Sequence, residues 1–206
     1  CCKTGDILSY DYYPVRTVPL EKQTIDYYDL RYAGALGVPH WFTAQAMQWT
    51  RDRAKGARSP QIQELRAMCF AALIFNCKGF MFYSYPSMLE LIDIDEAEGI
   101  QLWSNIQTIA KELSQLSEWI LSLEKAPAVK IKQNNTGDGA PAVLARAFMA
   151  GNKMKVLLVS NGPGAADAIL ELPGNFRSVH GLTTKTGQRT YRFQAKYVTA
   201  DLLVQE

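Results

Sequence analysis

The sequence has few cysteines and histidines and no cluster of basic residues. Four cysteines in 206 residues do not make a disulfide framework, and no histidine stands near them at metal-ligand spacing, so we predict no metal site. The net charge is +2 and the basic residues are scattered, which argues against a nucleic-acid partner. No apolar run reaches the roughly 20 residues of a membrane span. No glycine-rich loop joins a strand to a helix in the phosphate-binding manner, so we expect no cofactor.

A β-α-β unit from Val38 to Tyr85 is the most informative stretch that is present. Residues 38–49 and 79–85 are apolar at nearly every position, which is typical of strands buried on both faces of a parallel sheet. A helix between them begins at Pro60 after a Ser59 cap. Both strands become polar and aromatic where they end, and in parallel α/β folds this edge carries the ligand site.

The flanking segments extend this pattern. We predict a strand at 7–10, a helix at 21–36, loops at 50–58 and 86–98, and a long helix at 102–123. After Ala126-Pro127, short β-type runs such as Lys153 to Ser160 alternate with turns such as Gly137-Asp138-Gly139, which favours an antiparallel sheet or small sandwich. The predicted domains are therefore three βα units in residues 1–126 and an all-β module in residues 127–206. Because the chain enters a core-type strand directly after Cys1 and Cys2, we expect it to be a piece of a longer protein.

Several motifs, in this order, resemble a known family. They are Asp11-Tyr12-Tyr13-Pro14, the run from Val38 to Gln45, Glu64-Leu65-Arg66, the run from Lys78 to Tyr85, Leu102-Trp103 and Lys111-Glu112-Leu113. Together they resemble the last three βα units of a (β/α)8-barrel glycoside hydrolase, closest to β-galactosidase-like barrels and related bacterial glycosidases in which a β-sandwich follows the barrel. The resemblance implies an α/β fold, a partial TIM barrel followed by a small antiparallel β-sandwich domain. It also implies the missing amino-terminal half of the barrel as a partner, and a periplasmic or extracellular location.

The resemblance implies hydrolysis of a glycosidic bond, which needs two carboxyl groups. In such barrels the acid/base group comes from the fourth strand, outside this chain, and a glutamate nucleophile comes from the seventh. Here Ala44-Gln45 occupies the matching position, and an amide cannot act as a carboxylate nucleophile. Asp11 and Glu90 are the candidate catalytic carboxylates. Asp11 is equally consistent with a turn-capping role, and Glu90 with a solvated loop acid.

Aromatic and amide side chains at the strand ends suit a carbohydrate, because pyranose C–H faces stack on aromatic rings while amides bind hydroxyls. The candidate substrate-binding residues are Tyr12, Tyr13, Gln45, Gln48, Trp49, Tyr83 and Tyr85. The alternative function is a carbohydrate-binding protein that retains the cleft without the chemistry. We expect His40 to be a core residue, and Cys69 and Cys77 to be buried free thiols.

Overall fold

The structure, a computed structural model, describes residues 7–134 and 141–206. The predicted turn at 137–139 and the cysteines Cys1 and Cys2 lie outside the described residues. The chain divides into two compact units. The first comprises Cys1–Pro19 with Asp26–Leu116, and the second comprises Leu20–Ile25 with Ser117–Glu206. The division along the chain therefore falls at Leu116, ten residues before the predicted boundary.

Three parallel strands form the sheet of the first unit. They are β1 (Leu8–Tyr12), β2 (His40–Gln45) and β3 (Cys77–Tyr83), in the order β1-β2-β3. Since both pairings are parallel, the carboxyl ends of the strands meet at one edge of the sheet. The helices of this unit are α1 (Tyr28–Ala35), α2 (Ile62–Ile74), α3 (Tyr85–Ile94) and α4 (Glu96–Ser114).

Helix α2 provides the apolar side of this sheet. Its side chains Leu65, Met68 and Leu73 are fully buried, as is Phe42 of β2. Full burial of a side chain of this size stabilises the folded state by about 1.5–3 kcal/mol. On the opposite face Trp41 is 41% exposed, Met81 40% and Tyr83 49%. The prediction that both faces are buried is therefore wrong for these three residues, although Thr43 and Gln45 on the same face are buried.

The predicted fold class, a partial TIM barrel with three βα units, is wrong. The parallel sheet is open: within the described residues, β1 and β3 each pair only with β2. A closed barrel pairs every strand on both sides, whereas here the described residues give β1 and β3 one partner each. The other two sheets, with four strands each, are antiparallel, so the chain is a mixed structure whose sheets are mostly of the β-sandwich type.

Helices α2, α3 and α4 begin differently from prediction. Helix α2 is capped by Gln61 and not by Ser59, because Gln61 and Glu64 form a reciprocal capping box. The predicted loop at 86–98 contains helix α3, where the Ser84 side chain accepts a hydrogen bond from the Ser87 backbone N–H. The Asp95 side chain accepts one from Glu98 N–H and so caps α4. These Ser-x-x-Ser and Asp-x-x-Glu spacings are start signals that the interpretation as a loop overlooked.

Helix α1 is shorter than the predicted helix at 21–36. Residues 20–25 belong to the second unit, where the Ile25 N–H donates to the Asn161 carbonyl at 3.0 Å. Gly162 packs so closely on the Gln23 carbonyl that a Cβ at Gly162 would lie 2.2 Å from that oxygen. Because these contacts with residues 161 and 162 hold residues 23–25 outside the helix, α1 begins only at Tyr28.

The second unit contains the two antiparallel sheets. Their orders are β4-β7-β10-β9 and β5-β6-β11-β8. One buried cluster joins residues of both, including Leu170 and Phe193 of the first sheet and Leu158 and Leu203 of the second. The elements of this unit are α5 (Ser117–Leu121), β4 (Lys130–Gln133), β5 (Val143–Ala150), β6 (Lys153–Ser160), β7 (Ala166–Glu171), β8 (Phe176–Ser178), β9 (Thr183–Lys185), β10 (Thr190–Ala195) and β11 (Thr199–Gln205).

The predicted core thiols and core histidine are confirmed. Cys69 and Cys77 are free and buried, and His40 is fully buried. Burial raises the pKa of Cys77 to about 11 and raises that of Cys69 further. Because the thiolate is the reactive form, neither cysteine is suited to nucleophilic chemistry.

Candidate functional site

The carboxyl edge of the parallel sheet brings together three of the predicted residues, Asp11, Tyr13 and Tyr83, which we call the tyrosine–carboxylate cluster. The Tyr13 hydroxyl donates to Asp11 Oδ2 at 3.0 Å. The rings of Tyr13 and Tyr83 stack with centroids 5.3 Å apart at 25°. Asp11 and Tyr83 are exposed and Tyr13 is half-buried. The cluster therefore presents an aromatic surface beside a carboxylate, open to solvent.

The electrostatics of the cluster favour a neutral tyrosine. Burial raises the pKa of Tyr13, and the hydrogen bond to Asp11 raises it further, because an ionised phenol would face the carboxylate. At neutral pH Tyr13 therefore keeps its proton and holds it toward Asp11. This hydroxyl fixes one oxygen of the carboxylate and leaves the other available to a ligand.

Gln45 stabilises the segment that carries the cluster residue Tyr13. Its side chain is fully buried. The Gln45 amide accepts from the Val15 N–H at 2.8 Å and donates to the carbonyls of Val15 at 2.6 Å and Met47 at 3.0 Å. The two bonds with Val15 attach the loop after β1 to the end of β2, and the third holds the segment that follows β2. Gln45 therefore positions the segment that carries Tyr13 and is not itself exposed to a ligand.

Gln48 belongs to a polar network at the same edge of the sheet. Its amide nitrogen donates to both Glu98 oxygens at 3.0 Å, and its oxygen accepts from Arg53 at 3.1 Å. Arg53 also donates to Asp95 Oδ2 at 2.5 Å. The hydrogen bond from the Glu98 backbone N–H, followed by that from Arg53, lowers the pKa of Asp95. Only Gln48 of this network was predicted; Arg53 follows it by five residues, whereas Asp95 and Glu98 lie far from it in sequence and meet it through the fold.

Trp49 and Tyr85 occupy separate aromatic contacts. The Arg16 guanidinium lies over the half-buried Trp49 ring at 5.1 Å from its centroid and forms an ion pair with Asp52. Tyr85 is exposed and meets Trp103 edge to face at 5.9 Å. Trp103, which is 40% exposed, was not among the predicted site residues.

Tyr12 and Glu90 lie apart from the cluster. Tyr12 alternates with Asp11 along β1 and so projects from the other face, where its hydroxyl accepts from the Asp26 N–H at 2.7 Å. Glu90 lies exposed on α3 and accepts from the Thr50 hydroxyl at 3.4 Å. No contact joins Glu90 to Asp11 in the described part of the chain. The two predicted catalytic carboxylates are thus held by different neighbours.

The described residues include no group of His, Cys, Asp and Glu side chains that could hold a metal ion. Among the same residues, no helix is long and apolar enough to cross a membrane. No protein-family model, curated protein or solved structure matches the chain. The resemblance to glycoside hydrolases therefore rests on the sequence motifs alone.

Proposed function

We propose that the chain is part of a glycoside hydrolase and binds a glycan at the tyrosine–carboxylate cluster. The observation that carries this proposal is the exposed stack of Tyr13 on Tyr83 beside the Asp11 carboxylate. Aromatic rings take the C–H face of a pyranose, and a carboxylate accepts hydrogen bonds from its hydroxyl groups. A single shallow surface thus offers both contacts that a sugar ring needs.

In this proposal Asp11 is the carboxylate that acts at the glycosidic bond. The Tyr13 hydroxyl orients it through the 3.0 Å hydrogen bond, as a positioned nucleophile or base requires. Hydrolysis needs a second carboxyl group as the acid. Glu90 is the candidate in this chain, and a group from another part of the protein is the alternative.

A non-catalytic carbohydrate-binding protein is the second candidate function. The observation that favours it is that, among the described residues, only one carboxylate contacts the aromatic stack, while Glu90 binds Thr50. Binding by stacking needs no acid/base pair, so this function requires the cluster alone.

Paired binding and hydrolysis measurements test both candidates. Calorimetric titration with oligosaccharides of glucose, galactose, mannose and xylose measures binding, and release of 4-nitrophenol from the matching aryl glycosides measures hydrolysis. Tyr83→Ala removes the exposed ring, and Asp11→Asn removes the charge at nearly constant shape. Tyr32→Ala is the matched control, since Tyr32 is a 59% exposed tyrosine on α1, outside the cluster.

We expect Tyr83→Ala to weaken glycan binding roughly 5- to 10-fold, as the loss of one stacking contact implies, while Tyr32→Ala leaves it unchanged. Asp11→Asn should abolish hydrolysis and retain binding. Binding without hydrolysis in the parent protein favours the second candidate. If Tyr83→Ala binds the glycan as tightly as the parent does, the cluster is not the glycan site in either candidate function.

A further inference from the structure

The second unit contains a cleft of about 520 Å³, which lies within the volume range of small-molecule sites. It lies where β7 begins, β10 ends and β11 begins. Its lining includes Ala166, Asp167, Leu182, Ala195, Lys196 and Tyr197. None of them belongs to the proposed glycan site, so this cleft is independent of that proposal.

Alanines create the space in this cleft. Ala166 and Ala195 are directly opposite each other in the β7–β10 register, and both are buried. On one sheet face, directly paired residues fill the space between them with their side chains. Two methyl groups leave that space empty, while Leu182 and the ring of Tyr197 add apolar lining. The cleft is therefore adapted to an apolar group of modest size.

The charged groups of the lining, together with Arg192 beside it, leave one net positive charge. Asp167 is neutralised by Arg192, whose guanidinium donates to both carboxylate oxygens at 2.9 and 2.6 Å. The hydrogen bond from Arg192 accordingly lowers the pKa of Asp167. Lys196 is exposed and has no acidic partner in the residues that the structure describes. Within the described residues, an anion in this cleft therefore meets no unpaired carboxylate, and it meets the ammonium group of Lys196.

We infer that this cleft binds a small amphipathic anion, with its apolar chain over Ala166 and Ala195 and its carboxylate beside Lys196. Both Asp167 oxygens already accept from Arg192. Besides Lys196, the other polar side chains of the lining are Gln194, Tyr197 and Thr199, and these are too few to satisfy the hydroxyls of a sugar ring, each of which needs a partner once buried. An aliphatic chain has no such requirement, and its carboxylate remains at the solvent-exposed lysine. Apolar volume and single positive charge together select this ligand class.

Octanoate and 1-octanol are matched probes for the test, because they share the chain and differ in charge. Titration of the full chain with each, followed by amide NMR shifts of the cleft residues, gives both affinities. Lys196→Gln removes the charge. Ala165→Trp fills the cleft from an exposed position, and Val179→Trp places the same ring at a 42% exposed site outside the lining.

We expect saturable shifts at the cleft amides with both probes, and octanoate binding roughly two- to fivefold more tightly, as one exposed charge pair implies. Lys196→Gln should remove that preference and leave octanol binding unchanged. Ala165→Trp should weaken both probes at least tenfold, and Val179→Trp neither. The inference is overturned if no saturable shift occurs, if Ala165→Trp binds like the parent, or if an oligosaccharide binds these amides in place of octanoate.

Discussion

Substitution of Gln45 by glutamate distinguishes a structural amide from a degenerate catalytic carboxylate. The resemblance to glycosidases assigns a glutamate nucleophile to this position, so the substitution restores the residue type that the family pattern has. In the structure, however, the buried Gln45 amide donates to the carbonyls of Val15 and Met47. A carboxylate cannot donate either bond and would place its charge beside two carbonyl oxygens.

The expected cost follows from these contacts. Each buried carbonyl left without a donor costs about 1–3 kcal/mol, and burying an unpaired charge adds to that. We therefore expect Gln45→Glu to lower the free energy of unfolding by about 3–5 kcal/mol at pH 7. The environment raises the pKa of the introduced carboxyl above about 4.3. The folded state then binds the proton more tightly than the unfolded state, so the destabilisation is smaller at pH 5 than at pH 7.

Urea unfolding followed by tryptophan fluorescence measures this cost, since Trp41, Trp49 and Trp103 all lie in the first unit. Gln107→Glu is the matched control, because Gln107 is exposed on α4 and should tolerate the same change. The reasoning is refuted if Gln45→Glu is within about 0.5 kcal/mol of the parent. A gain of glycoside hydrolysis in this variant would refute it equally, because it would show that the side chain reaches a substrate.

Three further predictions concern the first unit. Glu64→Gln should lower the free energy of unfolding by about 2–4 kcal/mol, because the fully buried Glu64 carboxylate accepts hydrogen bonds from Arg58 and from the Gln61 N–H. A double-mutant cycle with Arg58→Met, measured by urea unfolding, should show that the two losses of stability are not additive; additive losses would contradict the pairing. Burial lowers the pKa of His40, so the unfolded state binds more protons than the folded state below about pH 6.5. The urea concentration at the unfolding midpoint should therefore fall between about pH 6.5 and pH 5.5 in the parent, and should fall less in His40→Leu. An equal fall in both proteins would exclude His40 as the cause. The exposed sheet face and the edge strands β1 and β3 should cause concentration-dependent self-association, which sedimentation velocity measures. The double substitution Trp41→Ser with Met81→Ser should reduce this association, while Tyr28→Ser on α1 should not. Equal association of all variants would show that the contact lies elsewhere.

The sequence by itself determined the local elements with strong patterns. β6 was predicted with the bounds Lys153–Ser160, and the strands around Phe42 and Phe80 and the helix after Pro60 were predicted close to their positions. Burial of Cys69, Cys77 and His40 also followed from neighbouring residues, because apolar context and position on an element are local properties. The residue types of the tyrosine–carboxylate cluster could likewise be selected as strand-end groups, although their suitability for a glycan stays a prediction.

Only the tertiary structure decided which surfaces and side chains face solvent. An apolar run cannot tell a strand covered on both faces from one that leaves Trp41 and Met81 exposed, because the covering layer comes from distant residues. Gln45 and Tyr83 were predicted together and are direct partners in the β2–β3 register, yet loop contacts bury the first and leave the second exposed. The pairing of Ile25 with Asn161 shortens a helix that its own periodicity favours. Sheet order, helix starts under competition and site accessibility depend on long-range contacts, about which local periodicity carries no information.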